Sequence, residues 1–356
     1  MQRRGFPLSR VVFFGTDDFA VPILRSVVEL LRPQVEQRLV VVSGSGRNTG
    51  RRRNDISKQT LASSVSREAQ EHGIPVYQFP GKETLNTTAS NVAPDWQALK
   101  KFTHGDLAIA ASFGRFIPAS ILNQFTYGGI NVHPSLLPQF RGPGPIYAAI
   151  LRQVSKTGVS IQRIHPAEFD KGELLAQKAY VMNGTETYEQ LCQTLAQIGA
   201  GLLSRVLRLG TYDKDNAPEG ITSFLGKRVQ VAESWAPKVD LKQAFVEWDS
   251  YTTAQVYAIS RAFGFIKTCL PTGNSITLWG IQPVMVDETT CANVAPGTFM
   301  RCFNNEFWIK TIDGAVRIND SIQLAGRKRV SAGEWIATSF KGKGGLFVSP
   351  NKVQRF

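Results

Sequence analysis

An amide and an imidazole stand two residues apart in one short stretch of this chain. Asn131 and His133 end a short apolar run over residues 129–132, and Pro134 starts the loop that follows. If that run is a strand, both side chains point to one face and meet at its C-terminal end. An amide N–H is a fixed donor, whereas an imidazole holds or releases a proton near neutral pH. The pair suits a reaction in which a carbonyl oxygen gains negative charge while a nitrogen leaves.

Short apolar runs alternate with helical patterns through the first part of the chain. The runs cover residues 11–14, 39–42, 107–111 and 129–132. This alternation predicts an α/β fold with a doubly wound, mostly parallel sheet covered by helices on both faces. Ligands of such sheets bind at the C-terminal ends of the strands, where the loop after His133 belongs. The first turn reads Gly-Thr-Asp-Asp and lacks the Gly-x-Gly-x-x-Gly pattern, so a dinucleotide site is not supported.

The composition and the pattern of predicted elements change in the second half of the chain. Residues 210–243 are rich in Gly, Pro, Asp and Lys, and short strand patterns separated by turn residues follow. We therefore predict one domain over residues 1–209, a linker over 210–243, and a smaller β-rich, OB-like domain over 244–356.

Composition narrows the class of partner. The chain has 356 residues and a formal net charge of +13, which indicates an anionic partner such as nucleic acid or a membrane surface. No apolar run approaches the ~20 residues needed to cross a bilayer, so we expect no membrane-spanning segment. The four cysteines are scattered, which favours a reduced compartment and no metal site.

Four motifs together resemble a known family. Asn131-Val-His133 is followed by Ser-Leu-Leu-Pro at 135–138, Arg-Gly-Pro at 141–143 and Asp-Lys-Gly at 170–172. This set is similar to the signature of the 10-formyltetrahydrofolate-dependent formyltransferases. The resemblance extends over nearly the whole chain, and it is closest to the branch of that family that acts on charged initiator tRNA.

The resemblance implies a role for each polar residue of the motifs. Formyl transfer between amines passes through a tetrahedral species with an oxyanion, and one pre-aimed donor typically lowers such a barrier by ~3–4 kcal/mol. Asn131 is the candidate donor, and protonated His133 would assist or protonate the leaving nitrogen. Asp170 would orient the imidazole and favour its protonated form. Taken alone, Asp170 before Lys-Gly would more often be a turn former.

A formyl donor and its pocket follow from the same resemblance. The expected co-substrate is 10-formyltetrahydrofolate, with no metal. The loop after strand 107–111 and the Ser-Leu-Leu-Pro segment would hold its flat pterin ring and shape the pocket wall. The candidate folate-binding residues are Phe113, Gly114, Arg115, Ser135, Leu136, Leu137 and Pro138.

Two basic clusters indicate a nucleic acid partner, and the resemblance implies that this partner is the acceptor tRNA. Residues 43–60 carry five basic residues against one acidic residue, and residues 321–356 carry seven against one. One cluster follows the second strand at the ligand-binding end of the sheet, and the other lies on a barrel of a type that often binds nucleic acid. The candidate tRNA-binding residues are Arg47, Arg51, Arg52, Arg53, Arg327, Lys328 and Arg329.

These observations predict an enzyme that formylates the α-amine of methionine on initiator tRNA. Two other classes compete: a folate-dependent formyltransferase with a small amine as acceptor, and an inactive RNA-binding relative. The two basic clusters count against the first, and the intact set of Asn131, His133 and Asp170 counts against the second. Residues 1–10 contain three arginines and no acidic residue. This feature and the resemblance favour a location in the mitochondrial matrix over one in the cytoplasm. We expect a monomer.

Overall fold

The computed structural model of the chain describes residues 7–44, 62–79, 96–99, 103–213, 228–285, 293–301, 307–340 and 344–352. The chain divides into two compact units. The first comprises Met1–Pro145, Lys156–Val181 and Leu191–Pro237, and the second comprises Ile146–Ser155, Met182–Gln190 and Lys238–Phe356. The second unit thus takes in two short segments that interrupt the first unit in the sequence. The domain limits at residues 209 and 244 stay predictions.

The first unit contains a seven-stranded sheet in the order β3-β2-β1-β4-β5-β6-β7. Strands β1 to β5 pair in parallel, whereas β6 and β7 pair antiparallel at one edge. The sheet confirms the predicted doubly wound, mostly parallel α/β fold. The strands are β1 Val11–Gly15, β2 Leu39–Gly44, β3 Val76–Phe79, β4 Leu107–Ala111, β5 Gly129–His133, β6 Lys156–Arg163 and β7 Leu174–Val181.

Side-chain capping contacts mark the start of two helices in this part of the chain. Ser63 Oγ accepts a hydrogen bond from Ser66 N at the start of α3, and Thr187 and Gln190 form a reciprocal capping pair at the start of α7. The helices of this part are α1 Ala20–Leu31, α2 Val35–Arg38, α3 Ser64–Glu71, α4 Trp96–Leu99, α5 Ala119–Leu122, α6 Pro145–Leu151 and α7 Tyr188–Leu209.

The antiparallel edge of the sheet was not predicted. Residues 174–181 were not recognised as a strand, because Gln177 and Lys178 interrupt the apolar residues on either side of them. Strand β6 pairs with β5 on one side and with β7 on the other, so its central residues are buried. This arrangement places β6 directly beside the strand that ends in His133.

The second unit is β-rich, as predicted. Its two antiparallel sheets have the orders β10-β13-β12-β11-β16 and β15-β14-β9-β8. Trp248, which is 1% exposed, lies in their shared core and donates its indole N–H to Thr268 Oγ1 at 2.8 Å. The elements are α8 Thr253–Phe263, β8 Phe265–Cys269, β9 Ser275–Trp279, β10 Ile281–Val284, β11 Thr298–Arg301, β12 Phe307–Lys310, β13 Ala315–Ile318, β14 Ser321–Leu324, β15 Val330–Ser331, α9 Ala332–Phe340 and β16 Gly345–Leu346.

Among the residues that the structure describes, no helix has the length and apolar character needed to span a bilayer.

A buried carboxylate on α3 gives a testable pH dependence. Glu68 accepts two hydrogen bonds from Arg25, each 2.7 Å long, and contacts His72 Nε2 at 3.2 Å. The bonds from Arg25 hold the pKa of the Glu68 carboxyl below its ordinary value of 4.5, against the opposing effect of burial. Between the lowered and the ordinary pKa, the unfolded chain binds more protons than the folded one, so stability rises with pH across that window. The stabilisation is therefore present above pH 4.5 and lost as the pH falls through the folded pKa.

We expect urea unfolding to reveal this effect in Glu68→Gln. Above pH 5 the variant should be less stable than the wild type, by up to about 1 kcal/mol because Arg25 is largely exposed and screened. Below pH 4 the difference should shrink. Glu71→Gln, an exposed change on the same helix, should show no such trend, and parallel pH profiles for all three proteins would contradict the prediction.

Candidate active site

Strand β5 brings Asn131 and His133 to one side of the sheet. Both side chains contact the same oxygen, Oδ1 of Asp170, as expected for positions i and i+2 of a strand. The backbone of β5 is fixed on both sides, by β4 in parallel and by β6 antiparallel. His133 is 5% exposed, and Asn131 is half-buried. The predicted convergence of these two side chains is therefore present in the structure.

The carboxylate of Asp170 is the centre of the cluster. Its Oδ1 atom accepts a hydrogen bond from Gln162 Nε2 at 3.0 Å and from Asn131 Nδ2 at 3.3 Å. The same oxygen lies 3.5 Å from His133 Nδ1, and Oδ2 accepts a hydrogen bond from the backbone N–H of Gly142 at 2.9 Å. Hydrogen bonds to a charged group contribute ~1.5–3 kcal/mol each, so these contacts hold the carboxylate in one orientation.

The loop that carries Asp170 is constrained by its backbone. Asp170 has φ +54°, a left-handed conformation that Asp tolerates better than most residues. Its carbonyl accepts a hydrogen bond from Arg141 Nε at 2.9 Å. A Cβ at Gly172 would lie 1.7 Å from the carbonyl oxygen of Arg163, so the turn passes too close to β6 for any other residue. The Asp-Lys-Gly motif thus combines the carboxylate at the centre of the cluster with the glycine that lets its loop approach the sheet.

Both ring nitrogens of His133 face oxygen atoms. Nε2 lies 3.0 Å from the carbonyl oxygen of Phe140, which can only accept, and Nδ1 faces the Asp170 carboxylate. The carbonyl of Phe140 can only accept, so Nε2 carries the hydrogen in this contact. The Asn131 amide has two N–H bonds and uses one towards Asp170. The geometry thus places two side chains that can donate hydrogen bonds, an imidazole and an amide, on the same side of the sheet.

Polar side chains of β6 and β7 form hydrogen bonds with the backbone of the Ser-Leu-Leu-Pro segment. Ser160 Oγ donates to the carbonyl of Ser135 at 2.7 Å and accepts from Leu137 N at 2.9 Å. Gln177 Nε2 donates to the carbonyl of Leu137 at 2.7 Å. Leu136 and Leu137 are buried. Their predicted role as pocket wall, with Ser135 and half-buried Pro138, remains a prediction.

The predicted pterin loop follows β4, as its position in the sequence indicates. The Phe113 side chain is 7% exposed and packs against Phe14 at 5.3 Å between ring centroids, so any contact of this residue with a ligand involves its backbone. Gly114 is exposed. The guanidinium of Arg115 lies 4.6 Å from the ring centroid of Phe79, and burial lowers its pKa. Folate binding by this loop stays a prediction.

The predicted tRNA-binding residues fall into two groups. Arg47, Arg51, Arg52 and Arg53 lie outside the described residues. The other three, Arg327, Lys328 and Arg329, are exposed on the turn between β14 and β15.

The guanidinium of Arg329 already contacts side chains outside this turn. Its guanidinium lies 4.2 Å from the ring centroid of Trp279 and forms an ion pair with Asp320. Arg327 and Lys328 are therefore the stronger candidates of the three for contacts with phosphate.

Sequence reasoning did not identify Gln162 as a member of the site. It lies on β6 directly opposite Asn131, is 2% exposed, and donates to Asp170. Its Oε1 atom has no hydrogen-bond partner among the described residues. The sequence holds no signal that singles out Gln162, because β6 also carries Lys156, Thr157, Ser160 and Arg163.

We expect Gln162→Met to lower turnover by about tenfold, because Asp170 loses a hydrogen bond from a buried donor. Stability should change little, since the substitution also removes the unpaired buried oxygen. Steady-state kinetics and thermal unfolding measure the two effects, and Gln197→Leu on the exposed face of α7 is the control. A fall in stability with unchanged turnover would contradict the prediction.

A group of three or more His, Cys, Asp or Glu side chains with metal-binding geometry does not occur within the described part of the chain.

Family models match both parts of the chain. A model described as "Formyl transferase" matches residues 10–207, and one described as "Formyl transferase, C-terminal domain" matches residues 238–339.

Full-length relatives carry one consistent name. A Schizosaccharomyces pombe protein provisionally named as a methionyl-tRNA formyltransferase is 35% identical over 95% of this chain and 97% of its own length. The methionyl-tRNA formyltransferase of Geobacillus thermodenitrificans is 30% identical over 92% of this chain and 94% of its own. The human mitochondrial methionyl-tRNA formyltransferase is 30% identical over 73% of this chain and 58% of its own.

Solved structures share the fold at low sequence identity. WlaRD, a sugar 3N-formyltransferase solved with dTDP and 5-N-formyl-THF, has a TM-score of 0.56 at 16% identity, covering 90% of this chain and 98% of its own. HypX from Aquifex aeolicus, in complex with tetrahydrofolic acid, has a TM-score of 0.55 at 17% identity and covers 94% of this chain and 48% of its own. With the two family models and the full-length relatives, these matches establish that the chain belongs to the formyltransferase family.

Proposed function

We infer that the chain transfers a formyl group from 10-formyltetrahydrofolate to the α-amino group of methionine on initiator tRNA. The observation that carries this function is the contact of Asn131, His133 and Asp170 at the C-terminal end of β5. The shared name of the full-length relatives supports the acceptor. The net charge of +13 supports a nucleic acid partner.

The residues of the site divide the chemistry between them. As the acceptor amine bonds to the formyl carbon, Asn131 and protonated His133 donate hydrogen bonds to the oxygen that becomes negative. When the bond to the folate nitrogen breaks, His133 supplies the proton that this nitrogen needs as it leaves, and the proton that the acceptor amine gives up on becoming an amide restores the protonated imidazole. Asp170 keeps the imidazole oriented and stabilises its positive charge. The substrate amine is itself the nucleophile, so no covalent enzyme intermediate is required.

Transfer of the proton requires one contact of the described structure to change. His133 Nε2 is directed to the carbonyl of Phe140, and Nδ1 to Asp170. One of these contacts must give way to the substrate. Contact distances at catalytic groups commonly change when a substrate binds, so this geometry is compatible with the role.

The loop after β4 and the Ser-Leu-Leu-Pro segment supply suitable surfaces for a folate. Nothing among the described residues lies within 4 Å of a Cβ placed on Gly114, so a flat ring can approach its backbone. Leu136 and Leu137 are buried, so they would support the pocket wall from behind and contact a ligand only through their backbone. Phe113, Arg115, Ser135 and Pro138 complete the proposed folate-binding set.

Contacts with tRNA are proposed for the two basic clusters. We expect Arg51→Ala/Arg52→Ala/Arg53→Ala to raise the KM for Met-tRNA while changing the kcat much less, because phosphate contacts contribute to binding. The plot of log(kcat/KM) against log salt should lose about 2 to 3 units of slope if all three residues contact phosphates. Arg205→Ala/Arg208→Ala, which removes two exposed charges from α7, should leave the slope unchanged.

The decisive assay follows formyl transfer from 10-formyltetrahydrofolate to Met-tRNA at two salt concentrations. Transfer by the wild type, with weak and less salt-sensitive use of tRNA by the triple arginine variant, supports the proposed function. Consumption of the folate without formylation of Met-tRNA would leave the chemistry intact and refute the acceptor.

We also propose that the enzyme acts in the mitochondrial matrix and as a monomer. The mitochondrial relatives from human and rat support the compartment. Imaging of the tagged protein in its own cells tests the compartment, and sedimentation equilibrium tests the oligomeric state. A cytoplasmic signal would refute the first proposal, and a dimer the second.

A further inference from the structure

The last residues of the first unit contact the loop next to the catalytic cluster. Residues 233–236, here called the strap, immediately precede Pro237, where the first unit ends. Arg141 and Trp235 form a parallel bridge. Within it, Arg141 N donates to the carbonyl of Ser234 at 2.9 Å, and Ala236 N donates to the carbonyl of Arg141 at 2.7 Å.

Ser234 makes the largest number of these bonds. Its N–H donates to the carbonyl of Pro138 at 3.2 Å, and its carbonyl accepts from Arg141. Its hydroxyl oxygen accepts a third bond, from Phe140 N at 3.0 Å. One serine therefore holds three residues of the loop 138–144, two of them through backbone atoms and one through its side chain.

Gly142 shows how closely the strap approaches the loop. A Cβ on Gly142 would lie 2.7 Å from the carbonyl oxygen of Ala236 and 2.9 Å from the indole ring of Trp235. Gly142 also has φ +105°, which side chains disfavour. The glycine of the Arg-Gly-Pro motif is thus required by the strap as well as by the local turn.

The loop 138–144 also contacts both His133 and Asp170, the proposed catalytic pair. The carbonyl of Phe140 faces His133 Nε2 at 3.0 Å, and Gly142 N donates to Asp170 Oδ2 at 2.9 Å. Arg141 Nε donates to the carbonyl of Asp170. Each of three consecutive loop residues therefore contacts the pair directly, and each lies against the strap.

Phe140 is the residue at which this support matters most. It has φ +57°, a left-handed conformation that is unfavourable for a bulky aromatic residue. Strained residues persist only where their surroundings fix them. Ser234 Oγ fixes the N–H of Phe140, and the carbonyl of the same residue faces His133. Without the hydroxyl, the N–H of Phe140 loses its acceptor. The backbone of Phe140 can then relax, which moves its carbonyl away from the imidazole.

We propose that the strap positions the His133–Asp170 pair through the loop 138–144, and that Ser234 is the positioning residue. The proposal rests on the proposed formyl transfer for its kinetic test. It assigns a role to a segment that the sequence indicated only as linker. It also means that the chain enters the second unit directly from a segment bonded to the catalytic loop.

The test compares Ser234→Ala, Ser234→Thr and the wild type in formyl transfer to Met-tRNA. Ser234→Ala should lower kcat about tenfold with the KM for both substrates within about twofold, because one supporting hydrogen bond is lost and no substrate contact is. Ser234→Thr keeps the hydroxyl and should recover most of the activity. Ser26→Ala, which removes a hydroxyl bonded within α1, is the matched control and should behave as the wild type.

Imidazole NMR signals provide a measurement that does not depend on activity. The chain has four histidines, so the His133 signal is assigned by its absence from His133→Ala. The signal should shift in Ser234→Ala and return in Ser234→Thr. If Ser234→Ala does not fold, Ser234→Cys, which has nearly the same size and a weaker acceptor, replaces it.

The outcomes separate the two proposals. Unchanged kcat and an unchanged His133 signal in Ser234→Ala would overturn the role of the strap while leaving the enzyme's function intact. Absence of formyl transfer in the wild type would refute the proposed function, and the His133 signal would still report whether the strap positions the ring.

Discussion

Replacing His133 with alanine should lower kcat for formyl transfer by about 10²- to 10⁴-fold, the usual contribution of a positioned proton donor. The substitution removes the group that contacts both Asp170 and the carbonyl of Phe140. Because the ring is assigned to the reacting atoms and not to tRNA binding, the KM for Met-tRNA should change much less. Single-turnover kinetics at saturating substrate measure the chemical step directly.

Two further variants make the His133 test specific. His133→Gln keeps a donor but cannot carry the positive charge, so it should be nearly as inactive as His133→Ala. His104→Ala changes an exposed histidine and should retain full activity. A loss of less than about threefold in a folded His133→Ala protein would refute the assignment of proton transfer to this residue.

Replacing Asp170 with asparagine should have an effect of similar size, at least about 10²-fold on kcat. The carboxylate faces donors at both oxygens: Gly142 N at Oδ2, and Gln162, Asn131 and His133 at Oδ1. An asparagine amide has one oxygen and one NH2 group in place of the two carboxylate oxygens. In either orientation its NH2 group faces other donors, either Gly142 N or the donors around the Oδ1 position. The imidazole also loses the carboxylate oxygen that faces its Nδ1 atom.

Stability and activity should respond differently to changes at this position. Asp170→Ala leaves buried donors unpaired and forces alanine into the left-handed conformation at φ +54°, so we expect a loss of about 2–4 kcal/mol in unfolding free energy. Asp170→Asn tolerates that backbone better and should stay folded. Urea unfolding separates the two variants, and equal stability would contradict this reading of the loop.

The double variant tests whether the two residues act as one unit. If Asp170 works by orienting and stabilising His133, then Asp170→Asn in a His133→Ala background should cost far less than it does in the wild type. Fully multiplicative losses in the double-mutant cycle would mean that Asp170 contributes to catalysis independently of the imidazole.

Local pattern was enough to predict the strands that carry the site. The apolar runs at 11–14, 39–42, 107–111 and 129–132 correspond to β1, β2, β4 and β5. Buried parallel strands read as short apolar runs, and this signal is contained within a few residues. The alternation of side chains along a strand also required Asn131 and His133 to share a face, because that period is a property of the extended backbone itself.

The sequence by itself determined the fold class, the family and the residue types at the reacting centre. Only the tertiary structure decided what surrounds them: Gln162 beside Asp170, the carbonyl of Phe140 at His133, and Ser234 against the loop. Asp170 is 39 residues from Asn131, and Ser234 is 94 from Phe140. Contacts at such separations depend on strand order, on the antiparallel edge and on the path of the chain, none of which leaves a periodic signal in neighbouring residues.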